Sequence, residues 1–203
     1  MLLAAASLVL ALQDAEPPRH RRHNWDPYRH GLQWRLLVGG SGCMRGAVKC
    51  NVDGGRTLPS FGAAGDLGYL FEGMLFVGLG YDFGLLHPSY GDDPLRSSQR
   101  RGEYHGLFAM VKGLLPVYIF RPGLGIGPGW MRQSFVADDG SRRRSDAFAV
   151  RITPSMDFTM STRFFFGFSA DFLLNTARAS ETEGALGPTH AVVFGFNVGG
   201  GFP

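Results

Sequence analysis

Val117-Tyr-Ile-Phe-Arg-Pro-Gly-Leu-Gly-Ile-Gly-Pro-Gly-Trp130 is the stretch that decides how this chain folds. Read in twos, Tyr118, Phe120, Pro122, Leu124, Ile126 and Trp130 share one face, and Arg121, Gly123, Gly125, Gly127 and Gly129 share the other. Successive strand side chains point to opposite sides, so this is a strand with one aromatic-aliphatic wall and one glycine-and-charge wall. A closed sheet in water keeps its bulky apolar groups inside. Here only the glycine-and-charge wall suits an interior, so the solvent outside is hydrocarbon.

The same alternation recurs in eight segments, 31–40, 60–71, 74–87, 103–115, 117–130, 146–160, 162–175 and 190–202. Each is long enough to hold the roughly 9–11 residues that a tilted strand needs to cross a bilayer. Outward faces read Leu32, Trp34, Leu36 and Val38 in the first segment, and Leu75, Val77, Leu79 and Tyr81 in the third. The seventh gives Phe164, Phe166, Phe168 and Phe172, and the eighth Val192, Phe194, Phe196 and Val198. In the fourth, Leu107, Ala109 and Val111 outward place Lys112 inside, together with Phe108 and Met110. The connections alternate. Tight turns are expected at Glu72-Gly73, at Leu115-Pro116 and at 160–162, and long polar loops at 41–59, 88–102, 131–145 and 176–189. The expected fold is all-β, an eight-stranded antiparallel up-and-down transmembrane β-barrel with short turns at one end and long loops at the other.

The inward faces carry Arg35, Lys112, Arg121 and Arg151 against Asp66, Asp82, Asp157 and Asp171. Eight strands leave a lumen that side chains fill. A charge left unpaired there costs several kcal/mol, so the matched set reads as one ion-paired filling, a charge-plugged lumen. Thirty glycines and seventeen phenylalanines fit the same picture, one leaving room inside and the other covering the outside. Mean hydropathy is −0.02, since alternating strands cancel in any window average.

Residues 1–15 hold an apolar run, Leu2 to Leu12, of signal-peptide length, followed by Gln13, Asp14 and Ala15. The expected organisation is a signal peptide at 1–15, a basic periplasmic segment at 16–30 and the barrel domain at 31–203. Cys43 and Cys50 are an even, local pair, and in an exported protein they suggest a disulfide closing a short loop; two separate thiols are the alternative. Arginines cluster at Arg19, Arg21 and Arg22, at Arg100 and Arg101, and from Arg142 to Arg144, within a net charge of +3. No stacking platform or recognition helix accompanies them, which argues against nucleic acid. On surface loops they suit lipid phosphates, through paired guanidinium contacts, or serve simply as solvated charge.

With eight alternating segments, an inward charge set and the closing run His190-Ala-Val-Val-Phe-Gly-Phe-Asn-Val-Gly-Gly-Gly-Phe202, the chain resembles the small eight-stranded outer-membrane barrels, the transmembrane domain of outer membrane protein A and OmpX-like proteins. The resemblance covers roughly Gly31 to Phe202 and is one of pattern. It implies a place in the outer membrane of a Gram-negative bacterium, both chain ends in the periplasm, and a last strand read by the barrel assembly machinery. Phe202 takes the terminal aromatic position of such strands, although Pro203 follows it. Partners implied are outer-membrane lipids, lipopolysaccharide phosphates and an unknown extracellular ligand.

His87, Ser89 and Glu103 form the one set with enzymatic promise. A Ser-His-acid group at a barrel rim would resemble lipid A 3-O-deacylases, which cleave an acyl chain using a serine nucleophile. Pro88 between the pair, and Tyr90 where an asparagine is usual, depart from that pattern and favour ordinary loop-entry residues. The six histidines offer no metal spacing, and Gly123 to Gly129 is strand interior, not a phosphate cradle, because its glycines alternate with larger residues and no helix follows. No cofactor is expected. A small passive pore is the alternative within the same fold, and a soluble lipocalin-like carrier the rival fold, though a lipocalin would turn its greasy groups inward.

Overall fold

The computed structural model describes residues 30–44, 56–58, 60–89, 99–137, 140, 142–161, 163–176 and 190–202. Eight long strands form the wall, β1 (Gly31–Cys43), β3 (Ser60–Phe71), β4 (Leu75–Ser89), β5 (Gln99–Leu114), β6 (Phe120–Ala137), β7 (Arg142–Thr159), β8 (Phe164–Asn175) and β9 (Ala191–Phe202). A short strand, β2 (Arg56–Leu58), pairs with the far end of β4. Each wall strand pairs antiparallel with its neighbours in the order β4-β3-β1-β9-β8-β7-β6-β5, and the β4–β5 pairing closes the ring. Leu32 pairs with Phe202, so β1 begins where β9 ends, at the short-turn end of the barrel.

The side-chain alternation behaves as the sequence dictates. Leu36, Leu67, Leu79, Leu124, Ile126, Phe168 and Phe196 are exposed on the outer wall, while Arg35, Asp66, Asp82, Lys112, Arg121, Arg151, Asp157 and Asp171 are buried in the lumen. The interior is nevertheless less polar than the alternation implied. Leu37, Phe76, Leu86, Tyr104, Leu114, Met131, Leu173 and Val193 also point inward and are buried, with Phe108 and Met110. Side chains of every size are needed to fill a closed barrel at protein density, and glycines facing them set where the large ones go. A Cβ on Gly84 would lie 2.3 Å from the Tyr104 ring, so glycine there makes the space that the tyrosine fills.

Two turn expectations meet different outcomes. Glu72 and Gly73 carry φ values of 49° and 69°, with Met74 N–H donating to the Phe71 carbonyl at 3.0 Å, a left-handed turn within the three-residue connection 72–74 between the paired Phe71 and Leu75. The turn expected at Leu115-Pro116 lies further on. Val117 and Phe120 exchange both backbone hydrogen bonds, at 2.8 and 3.0 Å, around Tyr118 and Ile119, and β6 begins at Phe120 instead of Val117. Pro116 has no N–H for a narrow turn, and the chain accepts a left-handed Tyr118, φ 62°, to make one.

The long connections are shorter than polarity suggested. β5 starts at Gln99, β6 runs to Ala137 and β7 starts at Arg142, so most of the 131–145 stretch read as loop is ladder. Arg132, Gln133 and Ser134 look like loop residues only because the strand has left the apolar band. Their backbone keeps pairing. Within the band the ladder is interrupted twice, for two residue pairs each time, where Ala109 and Met110 face Pro128 and Gly127 and where Thr153 and Pro154 face Asp171 and Ala170, since proline offers no donor.

Candidate functional site

The lumen charges form two groups. Arg35, from β1, places Nε 2.6 Å from Asp66 Oδ2, donates through Nη1 to Ser169 Oγ at 2.7 Å and through Nη2 to Asp171 at 3.0 Å. Arg151, from β7, reaches Asp66 at 2.8 Å, Asp82 at 3.1 Å and Asp171 at 2.7 Å, while its Nε donates to Thr153 Oγ1. Thr153 Oγ1 in turn donates a hydrogen bond to Asp171 Oδ1 at 2.7 Å. Nearer the short-turn end, Lys112 and Arg121 lie 3.8 and 3.7 Å from Asp157 Oδ2, Asn197 donates to Asp157 Oδ1 at 2.9 Å, and the Arg121 guanidinium sits over the Phe165 ring.

In ionised form the central group holds two cations and three carboxylates, net −1, and the lower group two cations and one carboxylate, net +1. The two cancel only together. Opposite net charges in adjoining layers of a dry interior attract, which binds the layers to one another as well as within themselves. Toward the long-loop end the polar filling changes character. Ser41 Oγ lies within hydrogen-bond distance of the Phe61 and Leu85 carbonyls, and Tyr104 crosses the lumen from β5 to point its hydroxyl at Val192 O on β9, 3.5 Å away.

Of the residues with enzymatic promise, the described part is Glu103. It faces outward on β5 opposite Leu85, and its Oε1 accepts a 3.0 Å hydrogen bond from Ser134 Oγ on β6. His87 and Ser89 lie in β4 with backbones paired to Leu58 and Arg56; their side chains are outside the described residues, as are Cys50 and the whole of 1–29. Cys43 ends β1 at the long-loop end.

A polar row that sequence reading did not single out runs along the outer wall at the same end. His105 pairs with Arg132 and Arg132 with Asp146, across β5, β6 and β7. Arg132 Nε donates to Asp146 Oδ1 at 2.7 Å, and its Cζ lies 4.9 Å from the Trp130 ring centroid. Tyr81 Oη is 2.6 Å from His105 Nδ1, and Phe83 stacks obliquely on the same imidazole. One row toward the turns lie Tyr81, Leu107, Trp130 and Phe148; one row beyond lie Leu85, Glu103, Ser134 and Arg144. The outward face of Trp130 is legible in the alternation, but the row above it needs the strand register.

The chain's sequence matches no family profile and no curated protein. Its fold is similar to that of Neisserial surface protein A, with a TM-score of 0.58 and 10% identity over 85% of this chain and 97% of that one. The N-terminal β-barrel domain of Pseudomonas aeruginosa OprF gives a TM-score of 0.51 and 15% identity, over 86% of this chain and all (100%) of that domain. The Pseudomonas aeruginosa outer membrane protein OprG gives 0.52 and 12%, over 86% and 93%. With a closed ring of eight antiparallel strands, apolar side chains outward and ion pairs within, the chain has the fold of the small eight-stranded outer-membrane β-barrels.

Proposed function

We propose that this chain is a non-enzymatic resident of the outer membrane of a Gram-negative cell, a sealed barrel that acts through membrane integrity and through its long-loop end. The observation that carries the reading is the lumen. Arg151, Asp82 and Asp171 are wholly buried, and Tyr104, Leu86 and Met131 fill the bore above them, a packing that favours a plug over a water-filled pore. The outer wall supports the location, because an apolar band of this kind is stable only against hydrocarbon.

Both ends of the barrel strand set sit with the short turns, which in this orientation face the periplasm, and the long connections face outward. Arg142 and Arg144 are exposed there and suit lipopolysaccharide phosphates or an acidic extracellular ligand. A Cys43–Cys50 bond would clip the first long loop, and the alternating run to Phe202 would serve the barrel assembly machinery as its recognition strand.

Planar-bilayer recording of the pure protein tests the seal. No steady ion conductance is expected, and a steady conductance would overturn the plugged lumen in favour of a small pore. Incubation with purified lipid A tests the absence of catalysis: no fatty acid release is expected, and release that Ser89→Ala abolishes would establish a hydrolase instead.

A further inference from the structure

The outer-wall row at the long-loop end has the makings of a site. Arg132 stands on the face whose other residues meet lipid, where a cation costs about 2–4 kcal/mol at mid-bilayer and about 0–1 near the surface. The row beneath it, Tyr81, Leu107, Trp130 and Phe148, is mostly apolar and contains both residue types, Tyr and Trp, that settle at headgroup level. The bilayer surface therefore falls between Trp130 and Arg132.

At that height the donors are already held. Asp146 takes one edge of the Arg132 guanidinium, at 2.7 Å on Nε and 3.4 Å on Nη2, and the Trp130 ring supports its plane. Among the described residues no acceptor takes the two Nη1 donors. Tyr81 Oη lies 2.6 Å from His105 Nδ1, and in the tautomer that accepts the phenol's hydrogen bond there the imidazole carries its proton on Nε2, a second donor beside Arg132 in the same row. Arg144 and Arg142 are exposed on the same face further along β7. Among the described side chains of this face, Arg132, Arg142 and Arg144 stand against Asp146 and Glu103, three cations to two anions.

We propose that this row binds the phosphate of an outer-leaflet glycolipid, with Arg132 and His105 as donors and with Asp146 and Tyr81 as positioning residues. The inference rests on the outer-membrane reading above and deepens it. A lipid headgroup is favoured over a dissolved anion because the donors lie on the outer wall, flush with the aromatic row, where a headgroup phosphate is already concentrated and its acyl chains already meet apolar wall. Arg132 and His105 would then do for one lipid what loop arginines do loosely for many.

The test is lipid retention by the intact, folded protein in detergent, measured by native mass spectrometry with three probes: bisphosphorylated lipid A, dephosphorylated lipid A and inorganic phosphate. The expected result is preference for the phosphorylated lipid, a loss of about tenfold or more in apparent affinity in R132Q/H105N, and no change in R163Q at the opposite rim. Folding of each variant is checked by its unboiled gel migration. Should R132Q/H105N fail to fold, R132K alone, which keeps the charge but not the fork, is expected to lose part of the preference. Equal retention of the two lipids, or an unaffected variant, would overturn the site. Inorganic phosphate competing as well as the lipid would overturn its assignment to a lipid. A conducting protein that still prefers phosphorylated lipid would sink the sealed lumen and leave this site standing; a sealed protein without that preference would do the reverse.

Discussion

Arg151 on β7 places Nη1 2.8 Å from Asp66 Oδ1 on β3, four strands away around the ring and on the far side of the lumen. One guanidinium thus spans the bore and ties opposite walls together. Removing it leaves three carboxylates around a hole. Arg151→Gln is expected to destabilise the barrel by about 3–5 kcal/mol, the cost of stranding buried partners, as read by urea unfolding in micelles. A loss below about 1 kcal/mol would mean that water reaches the cluster.

The three central carboxylates are not equivalent. Asp171 takes hydrogen bonds from Arg35, Arg151 and Thr153, whereas the one described contact of Asp82 is Arg151 Nη1 at 3.1 Å, and neither of its oxygens has a hydrogen-bond donor. Neutralising Asp82 would also bring the central group from net −1 to zero. Asp82→Asn should therefore change stability by about 1 kcal/mol or less, while Asp171→Asn should cost about 3 kcal/mol or more. Parallel unfolding curves of the two variants check the contrast.

Gly80 faces Arg151 so closely that a Cβ there would lie 2.1 Å from Nη1 and 2.8 Å from Asp66 Oδ1. Gly80→Val is expected to push the guanidinium off its partners and cost at least the 1–3 kcal/mol typical of overpacking, about 3 here. Combining Gly80→Val with Arg151→Gln should cost less than the sum of the two, because the second change removes the clash. A double-mutant cycle measures this.

Leu79 is 59% exposed in the middle of β4's outer face. If hydrocarbon surrounds the wall, Leu79→Arg costs about 2–4 kcal/mol, and Arg144→Ala beyond the rim costs about 0.5 kcal/mol or less. Comparable effects at the two positions would mean that both meet water.

Glu72 holds a left-handed φ of 49° ahead of Gly73. Asparagine tolerates that conformation better than glutamate does, so Glu72→Asn should stabilise the hairpin by about 0.5–1 kcal/mol. The unfolding midpoint should rise accordingly.

The wall was largely legible in the sequence because a period of two survives any tilt: Leu124 and Ile126 outward, Arg121 and Gly125 inward, need no knowledge of neighbours. What escaped depends on neighbours. The turn at Tyr118 and Ile119 hid because neither residue favours a left-handed backbone, and Leu115-Pro116 looked like the better breaker. Arg132 to Ser134 read as loop because their polarity records distance from the bilayer and not the end of hydrogen bonding. The inward charges were legible as a set, but which of them meet was not, since Arg151 finds Asp66 only once the stagger of eight strands is fixed. His105, Arg132 and Asp146 are 27 and 14 residues apart in the chain and become neighbours only through register.

The pairing of Leu32 with Phe202 also governs how the molecule can come into being. Twelve residue pairs along that seam join the first wall strand to the last, and none can form until the intervening chain has been laid down. Until then the growing sheet carries two raw borders in an environment that tolerates none. Contacts of such long sequence separation form slowly. Maturation of this protein is therefore a zippering problem, solved at its final step and dependent on whatever shields the open rims meanwhile.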